Sequence, residues 1–162
     1  MKVLAYAFCF FSLAFISLSL SELRKNYVLA NDNKEVTQKM HDALASISED
    51  DQAILVAYKG AVSTLLAKHS KAIKDKKGYF KEGVVLLETA IKEEPNNIEI
   101  RCLRLGVQEN SPKILRYKSE IPTDKQFILD HYSSETSQEI KDFVKGYIQQ
   151  SNSFTQAEKQ LF

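Results

Sequence analysis

Glycine and proline are scarce in this chain of 162 residues, which contains five glycines and three prolines. Because these residues interrupt regular structure, their scarcity favours long helices over many short strands. Apolar residues make up 44% of the chain and charged residues 27%, a balance that excludes wholesale disorder. Since helical hairpins bury their apolar faces only by stacking, we predict an all-α fold, an irregular stack of about six helices.

Cysteine is also scarce, with one copy at Cys9 and one at Cys102. Cys9 lies in an apolar run at the start of the chain, so Cys102 is alone in the remainder. This excludes an intramolecular disulfide in the processed protein. Cys102 belongs to an apolar helical stripe, which favours a small buried thiol over a reactive nucleophile.

The chain has no excess of charge of either sign, with 22 basic and 21 acidic residues. It therefore lacks the basic excess that is typical of nucleic-acid-binding proteins. It also lacks a nucleophile elbow, a phosphate-binding glycine loop and a dinucleotide-binding fingerprint. We predict no nucleic-acid partner, no cofactor and no metal site from the sequence.

An apolar run occupies residues 3–20, after a single charge at Lys2 and with Ser17, Ser19 and Ser21 at its end. A basic start, an apolar centre and small residues at the end are typical of a secretory signal peptide. We predict that residues 1–21 are a signal peptide and that the protein is exported, either periplasmic or secreted. A run of 18 residues is also close to the lower limit for spanning a bilayer, so a retained membrane anchor at residues 3–20 is the alternative.

After the signal peptide, we predict a linker or short helix at residues 22–33 and a single all-helical domain at residues 34–162. The first helices of this domain are expected at residues 34–47 and about 50–73, followed by one that ends at Pro95. Small residues in the second of these form a stripe that would allow a neighbouring helix to approach closely: Ala53, Ala57, Gly60, Ala61 and Thr64. Later helices are expected at residues 112–119, 123–132, 135–150 and 155–162.

Residues 98–110 form a predicted helix with two apolar sides, capped by Asn97. At 3.6 residues per turn, Ile98, Cys102 and Leu105 lie on one side. The opposite side is formed by Ile100, Leu103 and Val107. A helix that is apolar on two sides is expected as a middle layer, so we predict that this helix is the central element.

Six residues have the order and spacing of the second half of a tetratricopeptide repeat: Gly78, Phe80, Gly83, Leu87, Ala90 and Pro95. This segment resembles one degenerate repeat unit, because the preceding helix lacks the aromatic, leucine, glycine and tyrosine series of that family. The resemblance implies a helical hairpin and a peptide-holding function. The whole chain also resembles small exported helical proteins of Bacteroidetes-type bacteria, which implies no particular activity.

The predicted binding residues are Arg101, Arg104 and Gln108, which occupy the strip between the two apolar sides of the central helix. Arginine offers a planar fork that binds carboxylates, so these residues are expected to hold an acidic protein or peptide. Internal pairing is the alternative. The acidic residues that could neutralise the arginines within the protein are Glu99, Glu109, Glu120 and Asp124.

The leading interpretation is therefore an exported, non-enzymatic protein that binds a protein or peptide or acts as a scaffold. Contact with a membrane is expected only through the N-terminal run. The alternative is an enzyme or metal-binding protein without a recognisable motif. It would require His69 or His131, an acid such as Asp124, and possibly Cys102 to meet in one pocket, because proton transfer needs hydrogen-bond reach.

Overall fold

The computed structural model describes residues 19–162. The predicted signal peptide, and the alternative anchor at residues 3–20, fall almost entirely outside these residues. The described part contains eight α-helices and no strand, which confirms the predicted all-α fold. The helices are α1 Leu20–Ala30, α2 Lys34–Ala43, α3 Ala53–His69, α4 Ile73–Glu93, α5 Ile98–Asn110, α6 Ile121–His131, α7 Gln138–Gln150 and α8 Gln156–Lys159. Two 3₁₀ turns cover Lys113–Leu115 and Tyr132–Ser134.

Helix α5 is the middle layer, as its two apolar sides predict. Its residues Ile100, Leu103 and Val107 are buried in a first core, together with side chains of α1 to α4. Its residues Ile98, Cys102 and Leu105 are buried in a second core, together with side chains of α6, α7 and Phe154. Asn97 caps the helix, because its side-chain oxygen accepts hydrogen bonds from the backbone of Glu99 and Ile100.

Helices α3 and α4 form a tight antiparallel hairpin. Their backbones touch at two glycines, since a Cβ atom on Gly83 would lie 2.5 Å from the carbonyl oxygen of Gly60. A Cβ atom on Gly60 would lie 2.8 Å from the carbonyl oxygen of Gly83. The predicted close approach along the stripe of small residues on α3 is therefore confirmed.

The boundary between α3 and α4 differs from the sequence prediction. The second helix of the domain is expected to run to about residue 73, but α3 ends at His69 and residues 74–77 belong to the first turns of α4. Helix α3 ends at His69, where the backbone and the hydroxyl of Ser70 both donate to the carbonyl of Leu66. Gly78 consequently lies inside α4, five residues after its start at Ile73, and not in a turn.

Two other helical segments are shorter than predicted. Helix α2 ends at Ala43 instead of residue 47, and the helix expected at residues 112–119 is only a 3₁₀ turn. This turn ends where Arg116 adopts a left-handed conformation with φ of 53°. Helical continuation is impossible there, which is why the segment 111–119 is a loop.

Helix α1 packs on the same core as α3, through the buried side chains of Leu23 and Ala30.

Among residues 19–162, no helix combines the length and the apolar character needed to cross a bilayer.

Candidate functional site

The three predicted binding residues lie together and meet Asp124 of helix α6. Arg104 forms a bidentate pair with this carboxylate, with Nε 2.8 Å from Oδ2 and Nη2 2.7 Å from Oδ1. Arg101 donates from Nη1 to Oδ1 at 2.9 Å, and Gln108 approaches Oδ2 at 3.4 Å. The cluster of Arg101, Arg104, Gln108 and Asp124 is called the Asp124 cluster below.

Both arginines also donate to other groups within the protein. Arg104 donates from Nη1 to the Glu88 carboxylate of α4 at 2.8 Å. The other Glu88 oxygen accepts from the hydroxyl of Tyr117 at 2.6 Å. Arg101 donates from Nε to the carbonyl of Pro95 at 2.9 Å. The Asp124 cluster thus joins α4, α5, α6 and the loop after α5.

This cluster lies in the interior. Asp124 is 0% exposed, Gln108 1% and Arg104 4%. Burial alone would lower the pKa of the Arg104 guanidinium, but the hydrogen bonds and charge of Asp124 raise it above its usual value. Arg104 therefore stays charged, and its charge is balanced by Asp124 and Glu88 without any external ligand. The arrangement is the internal pairing given above as the alternative, with Asp124 as the partner.

A second buried network lies at the start of α5 and was not anticipated from the sequence. The Glu99 carboxylate is 1% exposed and accepts two hydrogen bonds from Arg24, each 2.8 Å long. It also accepts from the hydroxyl of Tyr58 at 2.6 Å. Arg24 further pairs with Glu139 of α7 at 2.7 Å. This network therefore fastens α1 to α3, α5 and α7.

The position of Glu99 offered one sequence signal for this network. Its neighbours Ile98 and Ile100 belong to the two opposite cores, so a carboxylate between them is drawn into the interior at the start of α5. A buried carboxylate requires a cationic or hydrogen-bonding partner. The identity of that partner depends on how α1 docks, which no local pattern in the sequence specifies.

A third network surrounds Glu109 at the other end of α5. Its carboxylate accepts hydrogen bonds from the hydroxyls of Tyr147 and Ser151 and from the backbone of Asn152. Burial alone would raise the pKa of Glu109, but these three donors lower it below its usual value. Glu109 thereby holds the end of α7 against α5.

The lowered pKa of Glu109 predicts a pH dependence of stability. Because its pKa is lower in the folded protein than in the unfolded chain, the unfolded state binds more protons than the folded state between the two pKa values. The stabilisation by Glu109 is complete above the unfolded pKa and is lost as the pH falls through the folded pKa. Urea unfolding of the wild type and of Glu109→Gln should show a stability difference that shrinks towards acidic pH. Glu93→Gln, which alters an exposed carboxylate of α4, is the control, and a pH-independent difference for Glu109→Gln would contradict this assignment.

The other candidate catalytic side chains each make contacts of their own. His69 Nε2 lies 3.3 Å from the carbonyl of Ala30, whereas the His131 ring stacks on Phe127 with centroids 3.9 Å apart. Cys102 is 2% exposed, and burial raises its thiol pKa well above the usual value, which keeps it protonated. Within the part of the chain that the structure describes, no three His, Cys, Asp or Glu side chains are arranged to hold a metal ion.

A concave surface lies between the loop after α2 and the exposed side of α4. This groove has a volume of about 610 Å³ and is open to solvent. Its apolar floor is formed by Ile47, Val85 and Leu86, and charged side chains, among them Lys59 and Glu82, line its sides. Lys59 also donates hydrogen bonds to the carbonyls of Ala45 and Ile47, which fixes the loop wall against α3. We call this feature the α4 groove.

The Asp124 cluster and the α4 groove are thus the two arrangements that bear on function. The first is held together by ion pairs and hydrogen bonds within the protein, although the buried Oε1 of Gln108 has no hydrogen-bond partner among the described residues, whereas the second is open to solvent. Comparison of the chain with protein-family models, with curated proteins and with solved structures gives no match.

Proposed function

We propose that this chain is an exported, non-enzymatic helical protein that binds a protein or peptide partner and acts as a scaffold. The observation that carries the proposal is the α4 groove, which combines an apolar floor with charged sides of both signs. Its volume is in the range of sites that accept small groups of side chains. Such a groove suits an extended segment that inserts one or two apolar side chains and presents polar groups to the rim.

The buried networks support a scaffold in a second way. The ionisable side chains that meet in the interior bind one another across helices: Asp124 with Arg104, Glu99 with Arg24, and Glu109 with Tyr147. Groups held in this way position helices and offer no free acid or base to a substrate. The hairpin of α3 and α4, which includes the tetratricopeptide-like segment, then supplies one wall of the groove.

The Asp124 cluster is a weaker candidate for partner binding than the α4 groove. An acidic peptide would have to displace Asp124 from both arginines, and Arg104 and Gln108 are buried. We therefore place the proposed partner contact at the α4 groove and assign the arginines to the interior.

The test is capture of partners by the full chain from the exporting host, with the bound material identified by mass spectrometry. Val85 is 47% exposed on the groove floor, so Val85→Glu should abolish specific capture because it places a charge on the apolar floor. Val28→Glu is the matched control, since Val28 is 58% exposed on α1 and does not line the groove. Equal capture by both variants and the wild type would contradict the proposal.

A further inference from the structure

The charges of this nearly neutral chain are segregated. Two segments, residues 71–82 and 112–118, contain eight basic and two acidic residues, whereas the remainder of residues 19–162 contains thirteen basic and nineteen acidic residues. The basic residues of the two segments are Lys71, Lys74, Lys76, Lys77, Lys81, Lys113, Arg116 and Lys118. A net charge close to zero therefore hides one strongly positive region.

The fold brings the two segments to the same side of α4. The Tyr117 ring packs edge-on against Phe80, with centroids 6.0 Å apart. The Tyr117 hydroxyl donates to Glu88, about two helical turns further along α4. The second segment therefore contacts α4 at Phe80, three residues after Lys77. We call the combined surface of residues 71–81 and 113–116 the basic face.

The lysines of the basic face are available to a partner. Every residue from Lys71 to Gly78 is exposed, because α4 extends beyond the end of α3. Among the described residues, none of the four lysines of this segment, nor Lys81 after it, has a carboxylate within ion-pair distance. The nearest lysine in sequence that does is Lys68, which binds Asp32. This contrasts with the arginines of α5, whose charges are all balanced internally.

Both segments of the basic face also carry exposed aliphatic side chains. Ile73 is 71% exposed and Ile114 is 86% exposed, and Leu115 beside it is 39% exposed. Arg116, the next residue, holds a left-handed backbone conformation that glycine or asparagine would adopt with less strain. A cation thus occupies a position where the backbone geometry alone would favour another residue.

We infer that the basic face binds the surface of an anionic phospholipid bilayer. Lysines attract anionic headgroups as point charges, and projecting aliphatic side chains between them can enter the interfacial layer. A surface whose main charges are exposed lysines fits a bilayer better than a single acidic peptide, for which arginine forks are suited. This contact goes beyond the proposed partner binding at the α4 groove, and it adds to any membrane contact of residues 3–20.

The test compares vesicles of phosphatidylcholine with vesicles that contain equal parts of phosphatidylcholine and phosphatidylglycerol. The full chain should bind the anionic vesicles more tightly, and this preference should disappear at high salt, which screens the lysines. Neutral vesicles are the reference because the apolar run 3–20 can itself enter a bilayer of either composition. The preference should fall at least about tenfold in the variant Lys71→Gln/Lys74→Gln/Lys76→Gln/Lys77→Gln, since each lysine near an anionic surface contributes to binding.

The matched control is Lys25→Gln/Lys34→Gln/Lys92→Gln/Lys145→Gln, which removes the same charge from exposed positions elsewhere. It should retain the preference for anionic vesicles. If both variants lose it equally, the binding reflects net charge and the inference is wrong. None of the replaced lysines lines the α4 groove. Lys81 does line it, and both variants leave Lys81 intact. Loss of vesicle binding is therefore distinguishable from loss of partner capture.

A fluorescence measurement separates a membrane from an acidic protein. The chain contains no tryptophan, so Ile114→Trp places a unique fluorophore on the basic face. Its emission should shift to shorter wavelength on anionic vesicles and stay unchanged with polyglutamate. Leu161→Trp, at a position that is 73% exposed near the C-terminus, should not shift. Equal binding of polyglutamate, or the absence of a shift at residue 114, would overturn the inference.

Discussion

Replacing Asp124 by asparagine should lower the free energy of unfolding by about 3–5 kcal/mol, because two arginines would lose their anionic partner in the interior. Arg104 would retain only Glu88, which is 44% exposed, as a counter-charge. Asparagine has nearly the same shape as aspartate, so the expected loss comes from charge and not from a cavity. Urea denaturation with a fluorescence or circular-dichroism readout measures this change.

Asp130→Asn is the control for this prediction. Asp130 lies on the same helix and is exposed, where it accepts a hydrogen bond from Gln126. Its replacement should change stability by less than about 0.5 kcal/mol. If Asp124→Asn were as mild as Asp130→Asn, the Asp124 cluster would not hold the helices together.

Replacing Gly83 by alanine should destabilise the protein by about 2–3 kcal/mol or more, because the added methyl group would collide with the neighbouring helix. The methyl carbon would meet the carbonyl oxygen of Gly60 at 2.5 Å and the Thr64 methyl at 2.6 Å. One of these neighbours is backbone, so the hairpin of α3 and α4 would have to separate. Thermal unfolding followed by far-ultraviolet circular dichroism measures the loss.

Gly78→Ala on the same helix gives the opposite expectation. No heavy atom outside its own helical turn lies within 4 Å of the position that its Cβ would occupy. Alanine should therefore stabilise the protein by up to about 1 kcal/mol, through its higher helix propensity. Equal effects at Gly83 and Gly78 would show that the two helices do not meet closely at Gly83.

The central helix could be predicted well because its signal is local. The spacing of Ile98, Cys102 and Leu105 against Ile100, Leu103 and Val107 requires only helical geometry. Both sets are buried in separate cores. The stripe of small residues on α3 is local in the same sense, and it predicted the close approach that the two glycines make.

The boundary between α3 and α4 was missed because neither glycine nor proline marks it. The break is made by Ser70 and Ala72, while the basic residues 74–77 are typical of a helix end. Here they begin a helix, where lysines oppose the helix dipole and gain no stability from it. Their exposed position in the first turns of α4 is consistent with the proposed binding of the basic face to an anionic bilayer.

The partner of the α5 arginines could not be chosen from sequence because the choice is made by tertiary docking. Four acidic residues were candidates, and two of them, Glu99 and Glu109, are bound elsewhere on α5 by Arg24 and Tyr147. Asp124 becomes the partner because α6 packs against α5 and brings its first turn over Arg104. Glu88 and Tyr117 contact the Asp124 cluster for the same reason. No local sequence pattern predicts either contact.

Thermal unfolding of the variant Arg101→Ala/Arg104→Ala tests most directly whether the arginines of α5 serve the interior. The account predicts a transition about 10 °C or more below that of the wild type, because Asp124 would be left as an unpaired buried carboxylate. An unchanged transition temperature, together with loss of partner capture by the folded variant, would contradict it. That result would assign Arg101 and Arg104 to an external binding site.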